Sequence, residues 1–340
     1  MGTWKKVGIV GASSKEGGAA LALLDRFLAG YPHDGVIRGR LATDITLYGP
    51  QAGEAALERR RRDFGLKVAS SLGEAVSGAE GVVVVPADGE GTVAAGTLTG
   101  VVEGLRSGGV CFVVGLLAGT GAEAQRISQV ARRRGVRLGA AGLLSATFRL
   151  PEPGRRNTRR QEGLIVVQGE DALAKADGVL GLLPELDLAL VDAHGVRRYE
   201  QDAVWRAGAQ GEWSWDLLAA ALSRSNNPLG DPVLDGRTQD LAGLGLVPRL
   251  AQRPRAWVTE HADGVRTAIL ALDGVVGDVN LATRDRAGVV HSAQLYRPPA
   301  PNVAGYHRLA GLIEGFLGGA ALPWPERRSL EAAAWWEALS

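Results

Sequence analysis

A chain of 340 residues exceeds what one hydrophobic core usually organises, and a prior of one domain per ~100–200 residues gives two. Hydrophobic residues at 46% and charged residues at 22% exclude wholesale disorder, and a formal net charge of +1 excludes a global field drawing the chain to nucleic acid or an anionic membrane. A single cysteine, Cys111, excludes an intrachain disulfide and a thiolate metal cluster.

Lys6 to Val10 is a short β-rich run ending in Gly11, and the apolar-periodic stretch Ala19 to Leu28 follows it. The chain therefore opens as strand, tight turn, helix. Tyr31 to Arg40 reads as a polar loop, Asp44 to Tyr48 as a strand stopped by Gly49-Pro50, and Ala55 to Phe64 as a helix. The Arg59–Arg62 run on that helix is a solvated face. Val68-Ala69 starts a short strand, and Gly81 to Pro86 is fully apolar, as strands inside a parallel sheet are. Val93 to Leu105 and Ala122 to Arg134 read as helices, Val110 to Val114 and Val136 to Ala140 as strands, with Cys111 a small buried hydrophobe. This alternation predicts an α/β fold whose residues 1–145 form a Rossmann-type doubly wound parallel sheet with right-handed crossovers.

Composition changes at Leu150-Pro-Glu-Pro-Gly154, and Arg155–Arg160 reads as a linker. Beyond it come a strand (Leu164 to Gln168) and two helices (Ala172 to Leu183, Trp215 to Ser223). Four extended runs with short glycine turns follow: Arg255 to Glu260, Val265 to Leu272, Gly277 to Thr283 and Val289 to Tyr296. They predict a second, α+β domain over residues 146–340 with an open, mainly antiparallel sheet. A helix over Tyr306 to Phe316 and a last one ending at Leu339 complete the pass. No uninterrupted apolar stretch reaches ~18 residues and no signal segment precedes the first strand, so a cytoplasmic protein without a membrane partner is expected.

A helix start after a tight glycine turn presents unpaired N–H groups and the positive end of the macrodipole, which attract phosphate. Gly11-Ala12-Ser13-Ser14-Lys15-Glu16-Gly17-Gly18 has that layout, with Ser13 where the dinucleotide fingerprint has its second glycine. A hydroxyl of Ser13 or Ser14 offers a hydrogen bond instead; a purely structural turn is the alternative. The candidate cofactor-binding residues are Gly11, Ala12, Ser13, Ser14 and Lys15, joined by Tyr48 and Pro86 at neighbouring strand ends. Tyr48-Gly49-Pro50 stands where an NAD-preferring site places a carboxylate, so NAD and NADP are both open.

Several stretches together are similar to the glucose-fructose oxidoreductase and inositol dehydrogenase (Gfo/Idh/MocA) family. They are the Rossmann half, Val110 to Gly142, Asp202-Ala-Val-Trp-Arg-Ala207, Gly211-Glu-Trp-Ser-Trp215, Asp263 to Ala268, Tyr306 to Gly315 and Pro323 to Leu330. The resemblance implies a nicotinamide cofactor, hydride transfer at a hydroxyl or carbonyl carbon of a small sugar- or cyclitol-like substrate, and a homo-oligomer, dimer or tetramer, formed through the second sheet. The family's Glu-Lys-Pro is replaced here by Gly115-Leu116-Leu117. Asp216 matches the family's later aspartate, Ala220 stands where its histidine would be, and Pro86-Ala87-Asp88-Gly89 lacks the histidine that often follows the fourth strand.

Other groups must then supply acid–base chemistry, which needs a titratable side chain within hydrogen-bond reach of the reacting proton. The candidate catalytic residues are Asp216, His194 and Tyr199. Asp216, between Trp213 and Trp215, reads as a carboxylate in an apolar wall with a raised pKa, or as an ordinary exposed acid. His194 lies near Arg197, Arg198 and Tyr199 in the densest polar cluster of the second half, or is a solvated loop histidine. Tyr306 and His307 read as helix-start residues, and no metal set is visible. The expectation is an NAD(P)-dependent oxidoreductase with a non-standard acid–base set; the alternative is a catalytically silent binding or partner subunit. A CoA-binding reading of Val10-Gly-Ala-Ser13 ranks below both, because nothing after residue 150 suggests the nucleotide-grasp domain it needs.

Overall fold

A computed structural model describes residues 4–11, 19–49, 54–86, 92–152, 160–169, 171–184, 194–225, 245–296 and 305–340. The chain divides into two compact units, Met1–Ala146 with Pro298–Ala333 and Thr147–Arg297 with Ala334–Ser340. Residues 298–333 therefore return to the first unit, where the sequence reading had one domain run from 146 to 340.

The first unit runs β1 (Trp4–Val10), α1 (Ala19–Ala29), β2 (Tyr31–His33), β3 (Val36–Arg38), β4 (Ala42–Tyr48), α2 (Glu54–Phe64), β5 (Lys67–Val68), α3 (Leu72–Val76), β6 (Gly81–Val84), α4 (Ala95–Gly104), β7 (Val110–Val114), α5 (Gly121–Arg134), β8 (Arg137–Ala141) and α6 (Leu143–Ala146). Six strands form one sheet in the order β5-β4-β1-β6-β7-β8, every pair parallel. This is the doubly wound order, reversing direction between β1 and β6. β6 and β7 are buried along their whole length, which is why they read as unbroken apolar runs.

On one face α3, α4 and α5 enclose a core of Val82, Val84, Leu98, Val101, Cys111, Val113 and Ile127. Burial pushes the Cys111 thiol up to about 12, so it stays protonated and packs as a hydrophobe. The helix over Tyr306–Leu317 packs against α1, β2, β7 and α6 with Leu309, Ala310, Ile313, Phe316 and Leu317 buried. Phe316 meets Phe112 edge-on at 5.6 Å and fills the space beside Gly139, where a Cβ would lie 2.6 Å from its ring. That burial draws the helix over Tyr306–Leu317 to the first unit.

Residues Tyr31 to Arg40 are not a loop throughout. β2 and β3 pair as a hairpin whose turn residues Asp34 and Gly35 have φ of 49° and 76°. Asp-Gly is the pair a two-residue primed turn demands, a signal masked here by the polar composition around it.

The second unit runs β9 (Arg149–Leu150), β10 (Arg160–Val167), α7 (Asp171–Leu182), β11 (His194–Glu200), α8 (Asp202–Ala209), α9 (Trp215–Leu222), α10 (Val247–Leu250), β12 (Gln252–Glu260), β13 (Arg266–Asp273), β14 (Val279–Asp285) and β15 (Val290–Leu295); α11 is Tyr306–Leu317, and α12 (Arg327–Leu339) ends the chain. Its sheet has the order β11-β12-β13-β10-β14-β15-β9, antiparallel except for the β10–β13 pair. The fold is α/β in the first unit and α+β in the second. Alternate residues of β10 face opposite ways: Leu164 and Val166 join the α8–α9 core, while Ile165 meets α7 at Gly181, where a Cβ would lie 2.4 Å from it. Trp335 of α12 is fully buried in this unit and its indole N–H donates to Thr259 Oγ1 at 3.3 Å.

Candidate functional site

In a doubly wound sheet ligands bind beyond the carboxyl ends of the strands, at the point where strand order reverses. Gly11 sits there. Its φ is 96°, and a Cβ on it would lie 1.9 Å from the Val85 carbonyl oxygen, so only glycine fits. Its N–H donates to the Tyr48 carbonyl at 2.9 Å, and the Val85 N–H donates to Val10 at 2.8 Å. The chain leaving β1 is thus clamped between the ends of β4 and β6, and this cradle fits a nucleotide bound across strand ends. Tyr48 and Pro86, two of the expected cofactor residues, are half-buried at those ends. Ala12, Ser13, Ser14 and Lys15 lie outside the described residues.

The end of β7 is apolar. Gly115 has φ 97° and donates to Ala141 at 2.9 Å; Leu116, bridged to Thr92, and then Leu117 and Ala118 are buried. Thr120 caps α5, its hydroxyl accepting from the Glu123 N–H at 3.2 Å.

In the second unit Ser214 caps α9, accepting from Leu217 N–H at 3.3 Å, and this sets the phase of the helix. Trp213 and Leu217 point into the core and Asp216 points out, its side chain 80% exposed. Of the two readings of Asp216, the structure has the exposed acid and not the carboxylate in an apolar wall: the helix phase leaves it on the solvent side. Trp213 donates its indole N–H to the Val204 carbonyl at 3.0 Å, and Trp205 stacks on Trp215 with centroids 5.9 Å apart. These rings pack with one another and with the core.

Asp216 faces a cation. Arg284 of β14 lies 3.5 Å from the Asp216 carboxylate, 3.4 Å from that of Glu162, and donates to Ser214 Oγ at 3.2 Å. Arg197 pairs with Glu212 at 2.6 Å nearby, and a shallow groove is lined by Glu162, Glu212, Ser214 and Arg266. Sequence reading missed Arg284, Glu162 and Glu212. Glu162 and Arg284 fall just outside the strands read from sequence, Leu164 to Gln168 and Gly277 to Thr283, and it is the register of β10 and β14 that makes them partners.

His194 opens the edge strand β11 opposite Glu260; it is not in a loop. The polar cluster read around it also dissolves, because strand alternation divides its members. Tyr199 packs on the α8–α9 core and Arg197 faces Glu212, whereas Arg198 lies over Trp257 on the opposite face and pairs with Asp171 at 3.0 Å. Asp216 and Tyr199 belong to one side of the sheet. Among the described residues no group of three or more His, Cys, Asp or Glu could hold a metal ion, and no helix is long and apolar enough to cross a membrane.

No protein-family model matches this sequence, and no curated protein does. Solved structures do. A biliverdin reductase from Synechocystis sp. PCC 6803, determined with biliverdin and NADP+, is 11% identical with a TM-score of 0.56, covering 98% of this chain and 97% of its own. A UDP-N-acetylglucosamine 3-dehydrogenase from Acidithiobacillus ferrooxidans is 11% identical with a TM-score of 0.55, covering 100% and 97%. A myo-inositol dehydrogenase from Lactobacillus casei, with NAD(H) and myo-inositol, is 13% identical with a TM-score of 0.55, covering 98% and 92%. The likeness is one of fold. It extends over both units.

Proposed function

We propose that this chain is an NAD(P)-dependent oxidoreductase of the Gfo/Idh/MocA type, acting in the cytoplasm on a hydroxyl or carbonyl of a small polar, sugar- or cyclitol-like substrate. The observation that carries this reading is Gly11, held by Val85 and Tyr48 at the reversal point of a doubly wound sheet. The nucleotide and substrate classes named for the similar structures support it. In this reading Gly11, Ala12, Ser13, Ser14 and Lys15 hold the cofactor's phosphates, and Tyr48 and Pro86 flank its path. A bound nicotinamide supplies or accepts the hydride.

The chain's own residues must then move the proton. Asp216 is the acid–base residue we assign, because its carboxylate is accessible and the Arg284 guanidinium orients it. Tyr199 and His194 complete the proposed set. Self-association runs through the second unit's sheet, where Phe148, Leu150, Val289 and Val290 remain exposed near strands β9 and β15.

Titration of the full chain with NADH and NADPH, read by energy transfer from tryptophan to the reduced nicotinamide, tests the cofactor. Saturable binding of at least one is expected, and failure of both overturns the proposal. With a turned-over polyol in hand, Asp216→Asn is expected to lower kcat by ~100-fold or more with cofactor affinity unchanged. One observation favours a second reading, a silent binding subunit: Leu116, Leu117 and Ala118 fill the end of β7 with buried apolar side chains. Cofactor binding without turnover across a polyol panel would establish it.

A further inference from the structure

The chain between α1 and β4 folds into the β2–β3 hairpin, whose two edges have different surroundings. Tyr31 of β2 is 3% exposed and rests against His307 of α11 with centroids 5.7 Å apart. His33 fills the space beside Gly311, where a Cβ would come within 2.6 Å of its ring. Arg38 of β3 is half-buried, so both strands are fixed to the body of the unit. The outer edge of β3 is open. It pairs with β2 alone, and Val36 at 61% and Ile37 at 76% are the most exposed large aliphatic residues among those described. Cβ atoms on Gly35 and Gly39, two positions either side of Ile37, would meet nothing within 4 Å. The alternation of an antiparallel ladder decides which backbone groups this edge offers. A two-residue turn makes His33 and Val36 exchange both their bonds and Tyr31 and Arg38 do so next, so Pro32 and Ile37 exchange none. Pro32, which has no N–H, suits that place. The N–H and carbonyl of Ile37 therefore point outward, along the open edge.

We propose that this edge pairs with the same edge of a second copy of the chain, β3 against β3, about a two-fold axis at Ile37. Backbone groups select that register. Outward-pointing groups must face outward-pointing groups, and a two-fold at Ile37 lets each Ile37 N–H donate to the Ile37 carbonyl of the other copy. The same register sets Gly35 opposite Gly39, where no side chain obstructs the approach. Charge selects a second copy over an unrelated strand. Asp34, exposed at the turn beside His33, is set against exposed Arg40 of the other copy, and the two-fold makes this pairing twice. Sheet edges are ordinarily protected by proline, lysine or a bulge, and Val36-Ile37 carries none of these. Three strand residues per copy bury far less than the ~800 Å² per partner of a stable dimer. The contact is therefore a supplementary one, firm when copies are already held together elsewhere, and it does not depend on the cofactor or chemistry proposed above.

Disulfide trapping of the full chain tests the register. Residues facing each other in a bonded antiparallel pair have Cα atoms about 5.5 Å apart, within disulfide reach, whereas Val36 and its copy lie two positions out of register. Ile37→Cys, oxidised with copper phenanthroline, is expected to give about tenfold more covalent dimer than Val36→Cys; buried Cys111 does not compete. Sedimentation equilibrium supplies a second readout. Ile37→Asp is expected to weaken self-association about tenfold. Asp34→Asn and Arg40→Gln are each expected to weaken it about threefold, and the double variant no further than either alone. An Ile37→Cys chain that stays monomeric, an equal yield from Val36→Cys, or Ile37→Asp associating as the wild type does would each overturn the proposal. The first outcome leaves the edge to a strand of a different protein. Failure to bind cofactor or to turn over a polyol bears on the proposed function and leaves these readouts unmoved.

Discussion

His261 is a base that folding keeps neutral. Its Nε2 lies 2.9 Å from Thr267 Oγ1, its ring meets Trp335 edge-on at 5.6 Å, and burial holds its pKa down to about 4 against an ordinary 6.5. A lowered folded pKa means the unfolded chain binds the proton first, so stability is fully present above about pH 6.5 and drains as pH falls toward 4. The difference amounts to about 3 kcal/mol. Denaturant titrations at pH 7, 5.5 and 4 should show that loss in the second unit, and His261→Leu should flatten it; a wild-type curve that does not fall over this range contradicts the assignment. Other single residues were legible to differing degrees. Gly11 could be read from sequence because a turn of that shape excludes every side chain. Asp216 could not be placed, because its exposure depends on where Ser214 starts the helix rather than on its neighbours in the chain.

Elements with one strong period were readable, and those with a mixed one were not. β7 was placed to the residue, since an unbroken apolar run between glycines has one reading in an alternating chain. β11 was missed. As an edge strand it carries arginines toward both faces, and its outward side chains hide the alternation. β10 likewise begins at Arg160, inside what read as a linker, because that arginine is buried rather than solvated. The caps of α5 are seen in the structure. Thr120 satisfies the Glu123 N–H and Gly135, with φ 66°, ends α5 in the left-handed region. Thr120→Ala should cost about 1 kcal/mol and lower the melting temperature by ~2–4 °C, with Thr120→Ser largely restoring it. A variant melting with the wild type would show that the cap adds nothing.

At the scale of the whole molecule, the sequence reading divides the chain at residue 145, whereas residues 298–333 group with the first unit and the last seven with the second. Local periodicity predicts helices at Tyr306 and toward Leu339, yet says nothing about which sheet each covers. The last seven residues show the energetic stake. Trp335, Trp336 and Leu339 are buried in the second unit, and Lys175 donates to the Leu339 carbonyl at 3.3 Å while facing the Trp336 ring. Each such side chain is worth ~1.5–3 kcal/mol in transfer alone. Ending the chain after Ala333 should therefore lower the near-ultraviolet tryptophan circular dichroism by more than the loss of two indoles from an unchanged fold, and it removes the groups that Thr259 Oγ1 and Lys175 Nζ bond in the last helix. A truncated protein with the full-length spectrum would refute this.

The return of α11 to the first unit also sets an order of events on the ribosome. Phe316 and Leu317 fill the spaces over Gly139 and Gly81, so the sheet face they cover has no lid until they have been synthesised. The roughly 170 residues between α6 and the end of α11 take about 10–30 s to translate at ordinary rates. For that interval the nascent first unit carries Phe112 and its neighbours uncovered, a natural landing place for a chaperone.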